Sequence, residues 1–267
     1  MNAPASSPLL LADRRGGVLR LTLNRPNARN ALSGALIGAL AEALDDAAAD
    51  HGVRVVILAA NGPVFSSGHD LKEMTALRRD GDRGAAAFAA LFAQCSRMMQ
   101  QIVMLPKPVI AEVQGVATAA GCQLVASCDL AIASTNARFA TPGVNIGLFC
   151  STPMVALSRN IGRKAAMEML LTGEMVDAGE AARLGLVNRA VAPEKLESET
   201  MALAETIAAK PRRTIRTGKE AFYRQMEMPL ADAYAYVTQV MTENMLEAEA
   251  VEGIGAFLDK REPQWPE

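Results

Sequence analysis

The hydrophobic and polar positions of the chain follow strand and helix periods in turn over the first two hundred residues. Val18–Leu23 alternates apolar with polar residues, which predicts a half-buried strand. Ser33 is placed to cap a helix that runs to about residue 49. The continuous apolar runs at 53–60 and 109–116 predict strands covered on both faces. Strands and helices therefore alternate, as in an α/β fold with largely parallel pairing.

The pattern continues with a long helix, further short elements and a mostly helical second half. The long helix is expected at 84–104, since Pro106 and Pro108 close it, and a short helix is expected to end at Ser127. The further predicted strands are 129–133 and 138–140, and the further predicted helices are 163–171, 178–183, 193–209, 211–226 and 229–259. The chain thus divides into an α/β core over residues 1–200 and a helical region over residues 201–267.

Composition and charge are those of an ordinary globular protein. Of 267 residues, 50% are hydrophobic and 21% are charged. A chain of this size buries roughly 70% of its surface on folding. The net charge of −2 provides no basic surface for nucleic acid. Two histidines and four scattered cysteines, without a CxxC or HExxH motif, predict no metal site, and the cysteines are expected to be reduced and buried.

Location and membrane association are predicted from the N-terminal segment and the apolar runs. The segment MNAPASSPLLLADRRGG lacks the charge pattern of a signal or transit peptide. Every long apolar run contains polar residues, Glu112 and Gln114 in the most apolar one, so no membrane span is expected. These features predict a cytoplasmic protein.

Two small-residue turns follow buried strands and are the strongest candidates for a binding site. One lies at 65–74, and the other lies at 115–123, where it opens a helix. Open α/β sheets bind ligands at the carboxyl ends of strands, and a helix N-terminus offers unpaired N–H groups. Two such turns can supply two N–H donors to one oxygen. A tight turn beside a closely packed helix explains the same residues equally well.

Several other chemistries lack their sequence signals. The chain has no GxGxxG, GxxxxGK[ST] or GxSxG motif, which argues against a dinucleotide site, a phosphate loop and a nucleophile elbow. His69 is too close in sequence to Ser66 and Ser67 to act as the base of a serine nucleophile.

The segments at 23–32, 65–74, 108–129 and 169–187 together resemble the crotonase (enoyl-CoA hydratase/isomerase) superfamily. The resemblance runs from about residue 19 to residue 261. The pattern at 139–151 also resembles a branch described as enoyl-CoA hydratase domain-containing, to which the chain is most similar. The family resemblance implies stacked ββα units that form a superhelix, with a C-terminal helical region that assembles a trimer or a hexamer. It also implies an acyl-CoA thioester as substrate, so coenzyme A enters as part of the substrate and no separate cofactor is expected.

The resemblance assigns candidate site residues. The backbone N–H groups of His69 and Ala120 correspond to the family's oxyanion hole. A second group is expected to contact the coenzyme: Ala28, Ser67, Asp70, Leu71, Lys72, Phe257 and Lys260. Phe257 and Lys260 match a pair that reaches the coenzyme of a neighbouring subunit, and a buried helix-face Phe beside a solvated Lys is the alternative interpretation.

The acid/base positions depart from the family pattern. The family's two catalytic glutamates correspond here to Gln123 and Gly143, and neither residue can exchange a proton. Gly143 is expected to be needed for its backbone angles. Ser151 stands where some relatives carry a third carboxylate, and Cys150 is expected to be an inert core thiol.

Two unassigned carboxylates and the helical tail complete these expectations. Glu112 is expected to pair with a basic residue, and Asp129 is expected to be structural. The tail is expected to form a subunit interface through its apolar residues, which are Met226, Met228, Leu230, Tyr234, Tyr236, Val240, Met241 and Met245.

Two hypotheses about function follow. The first is an enoyl-CoA hydratase-like lyase or isomerase of fatty acid metabolism, which polarises a thioester carbonyl but does not use two glutamates. The second is a non-catalytic acyl-CoA-binding or scaffold protein that has kept the groove and lost the chemistry.

Overall fold

The computed structural model describes residues 7–78 and 81–266, and two sheets form its framework. The larger sheet has the order β1 (Leu10–Arg15), β2 (Val18–Leu23), β3 (Val55–Ala60), β5 (Val109–Val113), β7 (Leu130–Ser134) and β10 (Arg189–Val191). The smaller sheet has the order β4 (Val64–Ser66), β6 (Val116–Thr118), β8 (Arg138–Ala140) and β9 (Val176–Asp177). All pairings are parallel except β1 with β2 and β8 with β9. The predicted α/β class is confirmed.

The predicted strand at 109–116 is wrong in one respect, because it is two strands in different sheets. β5 ends at Val113 in the larger sheet, and β6 begins at Val116 in the smaller one. Gly115 lies between them, and a Cβ at this position would overlap the carbonyl oxygen of Pro63. Glycine therefore allows the chain to pass close to the β3–β4 connection and change sheets.

The helices of the described residues surround these sheets. They are α1 (Gly34–Ala49), α2 (Leu71–Leu77), α3 (Ala85–Met104), α4 (Ala120–Ser127), α5 (Ser151–Asn160), α6 (Arg163–Thr172), α7 (Ala178–Leu184), α8 (Leu196–Ala208), α9 (Arg212–Gln225), α10 (Leu230–Met245) and α11 (Ala248–Leu258). Ser33 caps α1 as predicted, since its side chain accepts from the N–H of Leu36. The sequence did not predict β1, β4, β9, β10, α2 or α5.

The helix predicted at 229–259 is interrupted after Met245. Glu249, near the start of α11, accepts hydrogen bonds from the N–H groups of Arg213 and Thr214 at 2.9 and 2.8 Å. A carboxylate is favourable at a helix N-terminus, where N–H groups lack intrahelical partners. This contact ties α11 to the start of α9 and explains why the chain turns there.

The larger sheet is covered on both faces, as its apolar strands predict. One face packs with α1 and α3 in the main core, which includes Val56 and Leu58. The other face packs with α8 in a smaller cluster that includes Ile57, Ile110 and Ala204. The predicted division at residue 200 falls inside α8 and stays a prediction.

Two carboxylates, on the buried Glu112 and the partly buried Asp129, are structural, in agreement with the sequence. Arg20 donates two hydrogen bonds to Glu112, at 2.6 and 2.7 Å. Asp129 accepts from Lys219 at 2.7 Å, from Tyr223 at 2.9 Å and from the N–H of Val109 at 2.7 Å. The four cysteines, Cys95, Cys122, Cys128 and Cys150, are buried and unbonded to one another, which confirms that they are reduced core residues.

Within residues 7–78 and 81–266, no helix is long and apolar enough to span a membrane. The first six residues of the N-terminal segment and residues 79–80 of the polar stretch lie outside the described residues.

The tail helices expose many of the apolar side chains that the sequence assigned to an interface. On α10, the side chains of Leu230, Tyr234 and Met241 are exposed. Phe257, near the end of α11, is 82% exposed, so the interpretation of this residue as a buried helix-face Phe is wrong for the single chain. Trimer or hexamer assembly stays a prediction.

Candidate functional site

The two turns singled out in the sequence lie side by side in the structure. β4 and β6 are parallel neighbours, so their carboxyl ends meet at one edge of the smaller sheet. Gly68, in the turn after β4, has φ of +90°. A Cβ there would lie 2.9 Å from the Cβ of Ala119 and 3.2 Å from the nitrogen of Ala120. The turns are therefore in direct backbone contact, which only glycine at 68 permits.

Gly121 gives the second close approach between the turns. It lies in the first turn of α4, and a Cβ at this position would overlap the carbonyl oxygen of Ser66. The alternative interpretation of the sequence, a tight turn beside a closely packed helix, therefore also describes the structure correctly. The same close packing brings the backbone N–H groups of the turn after β4 near those at the start of α4.

The N–H groups of His69 and Ala120 are open at this contact. Leu32 donates to the carbonyl oxygen of Gly68 at 2.8 Å and accepts from the N–H of Asp70 at 3.2 Å, which leaves the intervening His69 N–H outside this bridge. Ala120 is the first residue of α4, where an N–H has no intrahelical acceptor. Among the residues that the structure describes, neither N–H has a hydrogen-bond partner.

Ala119 holds this arrangement in an unusual backbone conformation. Its φ and ψ are 51° and −119°, a region that residues with a side chain rarely adopt. Its N–H donates to Ala140 of β8 at 2.9 Å, and its carbonyl oxygen accepts from the N–H of Gln123 at 3.0 Å. These two bonds fix the start of α4 against the smaller sheet.

Two uncharged residues occupy the positions that the resemblance assigns to acid/base catalysis. Gln123 is 5% exposed, and among the described residues its Oε1 is buried without a hydrogen-bond partner, as is Oγ1 of Thr141. Gly143 lies in a 3-10 turn, Pro142–Ile146, and its φ is not positive. The expectation that Gly143 serves its backbone angles is therefore wrong. Close packing requires it, because a Cβ would overlap the carbonyl oxygen of Leu148.

The neighbouring Cys150 and Ser151 carry no activated nucleophile. Burial raises the pKa of the Cys150 thiol, which supports the expectation of an inert thiol. Ser151 is the first residue of α5, and its hydroxyl donates weakly to the carbonyl oxygen of Phe149 at 3.4 Å. No described group of three or more potential metal ligands clusters here or elsewhere in residues 7–78 and 81–266.

His69 brings an imidazole to the paired turns. Its ring meets Phe92 of α3 edge to face, with centroids 5.4 Å apart. Burial lowers the pKa of the His69 imidazole below its usual range, so the ring is neutral at pH 7.

The residues assigned to coenzyme contact fall into two places. The segment 67–72 lies beside the 3-10 turn that contains Ala28, because the N–H of Ser67 donates to the carbonyl oxygen of Arg29 at 3.1 Å. Leu71 and Lys72 are exposed there. Phe257 lies in the last turn of α11, which packs against α9 and α10, and Lys260 lies in the turn just after this helix.

Asp70 has a structural role in this segment. Its carboxylate caps α2 by accepting from the N–H groups of Lys72 and Glu73, and it pairs with Arg25 at 3.1 Å. The Arg25 guanidinium and these N–H groups hold the pKa of Asp70 below its usual range, against the opposing effect of burial, which is the largest single contribution.

Sequence reasoning missed two residues that shape the turn after β4. The buried amide of Asn30 accepts from the N–H of Arg25 and donates to the carbonyl oxygens of Asn61 and Val64. Ser66 donates to the carbonyl oxygen of Asn30 at 2.9 Å and accepts from the N–H of Gly68. Both residues lie in segments that carry the family resemblance, 23–32 and 65–74, but from the sequence Asn30 was given no role and Ser66 was considered only as a nucleophile.

Comparison with known proteins gives a consistent set of relatives. Residues 13–267 match the family described as enoyl-CoA hydratase/isomerase. Enoyl-CoA hydratase domain-containing protein 3 of Xenopus laevis is 48% identical, over 97% of this chain and 86% of its own length. The structure superposes on enoyl-CoA hydratase of Mycobacterium smegmatis with a TM-score of 0.93 at 55% identity, over 97% and 99% of the two chains. For human enoyl-CoA hydratase domain-containing protein 3 the TM-score is 0.92 at 46% identity, over 97% and 100%.

These comparisons confirm the resemblance read from the sequence and correct one prediction. The vertebrate relatives, from frog, rat, mouse and human, are named as mitochondrial proteins. Their names point to a mitochondrial rather than a cytoplasmic location, so the predicted cytoplasmic location is wrong on this finding. The absence of a leader pattern in the N-terminal segment was too weak a basis for that prediction.

Proposed function

Because this chain belongs to the enoyl-CoA hydratase/isomerase (crotonase) family, we propose that it binds an acyl-CoA thioester and polarises the thioester carbonyl. The two donors are the backbone N–H groups of His69 and Ala120. The observation that carries the proposal is the contact between the Gly68 turn and the Ala119 turn, where both N–H groups lack partners among the described residues. Coenzyme A is part of the substrate, and no separate cofactor is proposed.

The two donors act by stabilising negative charge on the thioester oxygen. When a proton leaves the carbon next to the carbonyl, the resulting enolate carries its charge largely on that oxygen. Ala120 is fully buried, so water screens the interaction little. Removal of one such donor typically costs about 10²–10³ in rate.

Proton transfer does not follow the two-glutamate route of hydration in this proposal. Gln123 can orient a water or an acyl group through its amide but cannot accept a proton, and Gly143 has no side chain. Each missing acid/base group costs about 10²–10⁴ in rate. Hydration of a simple enoyl-CoA is therefore expected to be slow or absent.

We propose that the coenzyme binds along Ala28 and the segment 67–72. Asp70 fixes this segment by capping α2, and Lys72 faces solvent. The exposed Phe257 and Lys260 are proposed to complete the groove of a neighbouring subunit in a trimer, and trimers are proposed to pair into hexamers. The exposure of Phe257 supports this extension.

A non-catalytic acyl-CoA-binding protein is the second candidate, and the absence of carboxyl side chains at Gln123 and Gly143 favours it. It shares the groove and the two donors with the first candidate. The two differ in turnover alone.

Calorimetry with acetoacetyl-CoA, NAD and FAD tests the binding. We expect the thioester to bind at least tenfold more tightly than either dinucleotide, and equal affinities would remove the proposal. Turnover of a panel of acyl-CoA thioesters then separates the two candidates. An enzyme converts at least one of them, whereas a binding protein is stabilised against heat by several and converts none.

A further inference from the structure

His69 carries a buried ring nitrogen that no hydrogen bond satisfies. Among the residues that the structure describes, its Nε2 is buried and has no hydrogen-bond partner. The ring packs edge to face on Phe92, and Phe92 in turn stacks on Phe88 with centroids 6.5 Å apart. The rings of Phe92 and Phe88 therefore fix the position of the imidazole, while its Nε2 stays unpaired.

An unpaired buried nitrogen is unfavourable, so a ligand that pairs with it gains affinity. Burial lowers the pKa of the imidazole, which leaves a neutral ring with one donor and one acceptor nitrogen. A hydroxyl group can donate or accept and so serves Nε2 in either tautomer. A carboxylate requires a donor and favours the charged ring that burial opposes, and an alkyl group leaves Nε2 unpaired.

We propose that the His69 imidazole selects acyl groups that carry a hydroxyl, bonding it through Nε2 while the N–H of the same residue binds the thioester carbonyl. The inference rests on the proposed function, since the acyl chain lies beside His69 only when its carbonyl is held at the paired turns. His69 is then a specificity-determining residue. No proton is transferred to it.

The test is the ratio of dissociation constants for butyryl-CoA and for 3-hydroxybutyryl-CoA or 4-hydroxybutyryl-CoA. A neutral hydrogen bond predicts that one of the hydroxyacyl thioesters binds about 3- to 10-fold more tightly to the wild-type protein. The ratio is used because any change in carbonyl binding affects all three thioesters alike. In His69→Ala the ratio is expected to fall to within about twofold of one.

Two further variants make the result specific. His69→Gln retains a polar atom at a similar reach and is expected to recover part of the preference. His51→Ala removes the other histidine, which lies in an exposed turn after α1, and is expected to keep the wild-type ratio. A preference that survives His69→Ala would overturn the assignment and point instead to the unpaired oxygens of Gln123 and Thr141.

A direct observation covers the case in which His69→Ala does not fold. With only two histidines, the ¹⁵N spectrum of the imidazoles resolves each ring. Addition of the preferred hydroxyacyl-CoA is expected to shift Nε2 of His69 and leave His51 unchanged. If thioesters bind but the shift and the preference are both absent, this inference fails and the proposed function stands. If no thioester binds, the proposed function fails first.

Discussion

The two turns after β4 and β6 and the tail helices α9–α11 differ in what covers their apolar surfaces. At the turns, Gly68 and Gly121 let backbone meet backbone, and Ala117 and Ala120 are fully buried. Along α10, large apolar side chains face outward, with Leu230 76% and Tyr234 66% exposed. The turns pack against one another within one chain, whereas the tail presents an apolar surface that none of the residues described by the structure covers.

The difference shows that small and large residues carry different kinds of information. Small residues at the turns fix backbone positions, so the geometry there depends on the absence of side-chain atoms. Large residues on the tail form an exposed apolar surface, and we expect a second copy of the chain to cover it, since monomeric proteins rarely expose large contiguous apolar patches. The same kind of substitution should therefore have opposite effects in the two regions.

The largest effect is expected for Gly121→Ala. The new Cβ would overlap the carbonyl oxygen of Ser66, so α4 must move away from the turn after β4. We expect the protein to lose about 1–3 kcal/mol of stability from overpacking. Thioester affinity is expected to fall at least tenfold, because the two N–H donors separate. Denaturant unfolding and calorimetry measure the two effects.

Gly218→Ala is the matched control in the other region. Gly218 lies in α9, and a Cβ there would meet nothing within 4 Å. Alanine favours the helix over glycine, so a gain of about 0.5–1 kcal/mol and unchanged thioester affinity are expected. If both alanine variants behaved alike, the contrast between the two regions would be lost.

The next effect concerns the exposed stripe on α10. At 3.6 residues per turn, Leu230, Tyr234 and Met241 fall on one side of the helix and Gln239 falls on the opposite side. Light scattering is expected to find a trimer or hexamer for the wild type. Leu230→Glu combined with Met241→Glu is expected to give smaller species, while Gln239→Glu keeps the assembly. A wild-type monomer at micromolar concentration would exclude the interface.

A smaller effect is expected from restoring acid/base groups. Gln123→Glu keeps the side-chain shape and adds a titratable group, so crotonyl-CoA hydration is expected to rise slightly, well below the 10²–10⁴ of a complete group. Gly143→Glu is expected to destabilise the protein, because Leu148 and Cys150 already fill the space. Hydration rates are measured after thermal unfolding has confirmed that each variant folds. Rapid wild-type hydration that survives Gln123→Ala would falsify this view of the proton-transfer positions.

The smallest effect is a local acid transition at the end of the chain. Hydrogen bonds from Arg261 and from the N–H of Gln264 lower the pKa of Glu252 from 4.5 to about 2. Because the folded pKa is depressed, this contribution is fully present above about pH 4.5 and is lost as pH falls through about 2. The ring of Trp265 lies against Gly253 and reports on the segment as the chain's single tryptophan.

Tryptophan fluorescence is therefore expected to shift to the red with a midpoint near pH 2. Glu252→Gln removes the carboxylate and is expected to show the shifted emission already at pH 7. A wild-type midpoint close to 4.5 would mean that the Arg261 contact contributes nothing in solution.

Much of the fold could be predicted, because in its long strands and helices the spacing of apolar residues in the sequence matches the positions that are buried in the structure. Val18–Leu23, α1 and α3 have clear strand or helix periods and lie where the sequence predicts them. The change of sheet at Gly115 could not be predicted, since an apolar run shows that a strand is buried but not which sheet receives it. The end of α10 could not be predicted either, because the contacts of Glu249 are remote in sequence.

The candidate site divides in the same way. The two glycine turns were identified from their small residues after buried strands. The positioning role of Asn30 was missed, because nothing in the sequence distinguishes it from an ordinary loop asparagine. Its role depends on the hydrogen bonds of its buried amide to the carbonyl oxygens of Asn61 and Val64. The reason for Gly143 was wrong, since sequence alone does not separate a glycine required by its φ from one required by its neighbours.

Placing both open donors on the main chain has a consequence for how this protein can evolve. Every amino acid except proline supplies a backbone N–H at positions 69 and 120, so drift in those side chains leaves the donors intact. Under the proposed function, the side chains at positions 69 and 123 can therefore change, as the imidazole of His69 and the amide of Gln123 illustrate, while both main-chain donors for the thioester carbonyl are kept. In such a fold, substitutions that change the reaction need not change the backbone groups that bind the substrate.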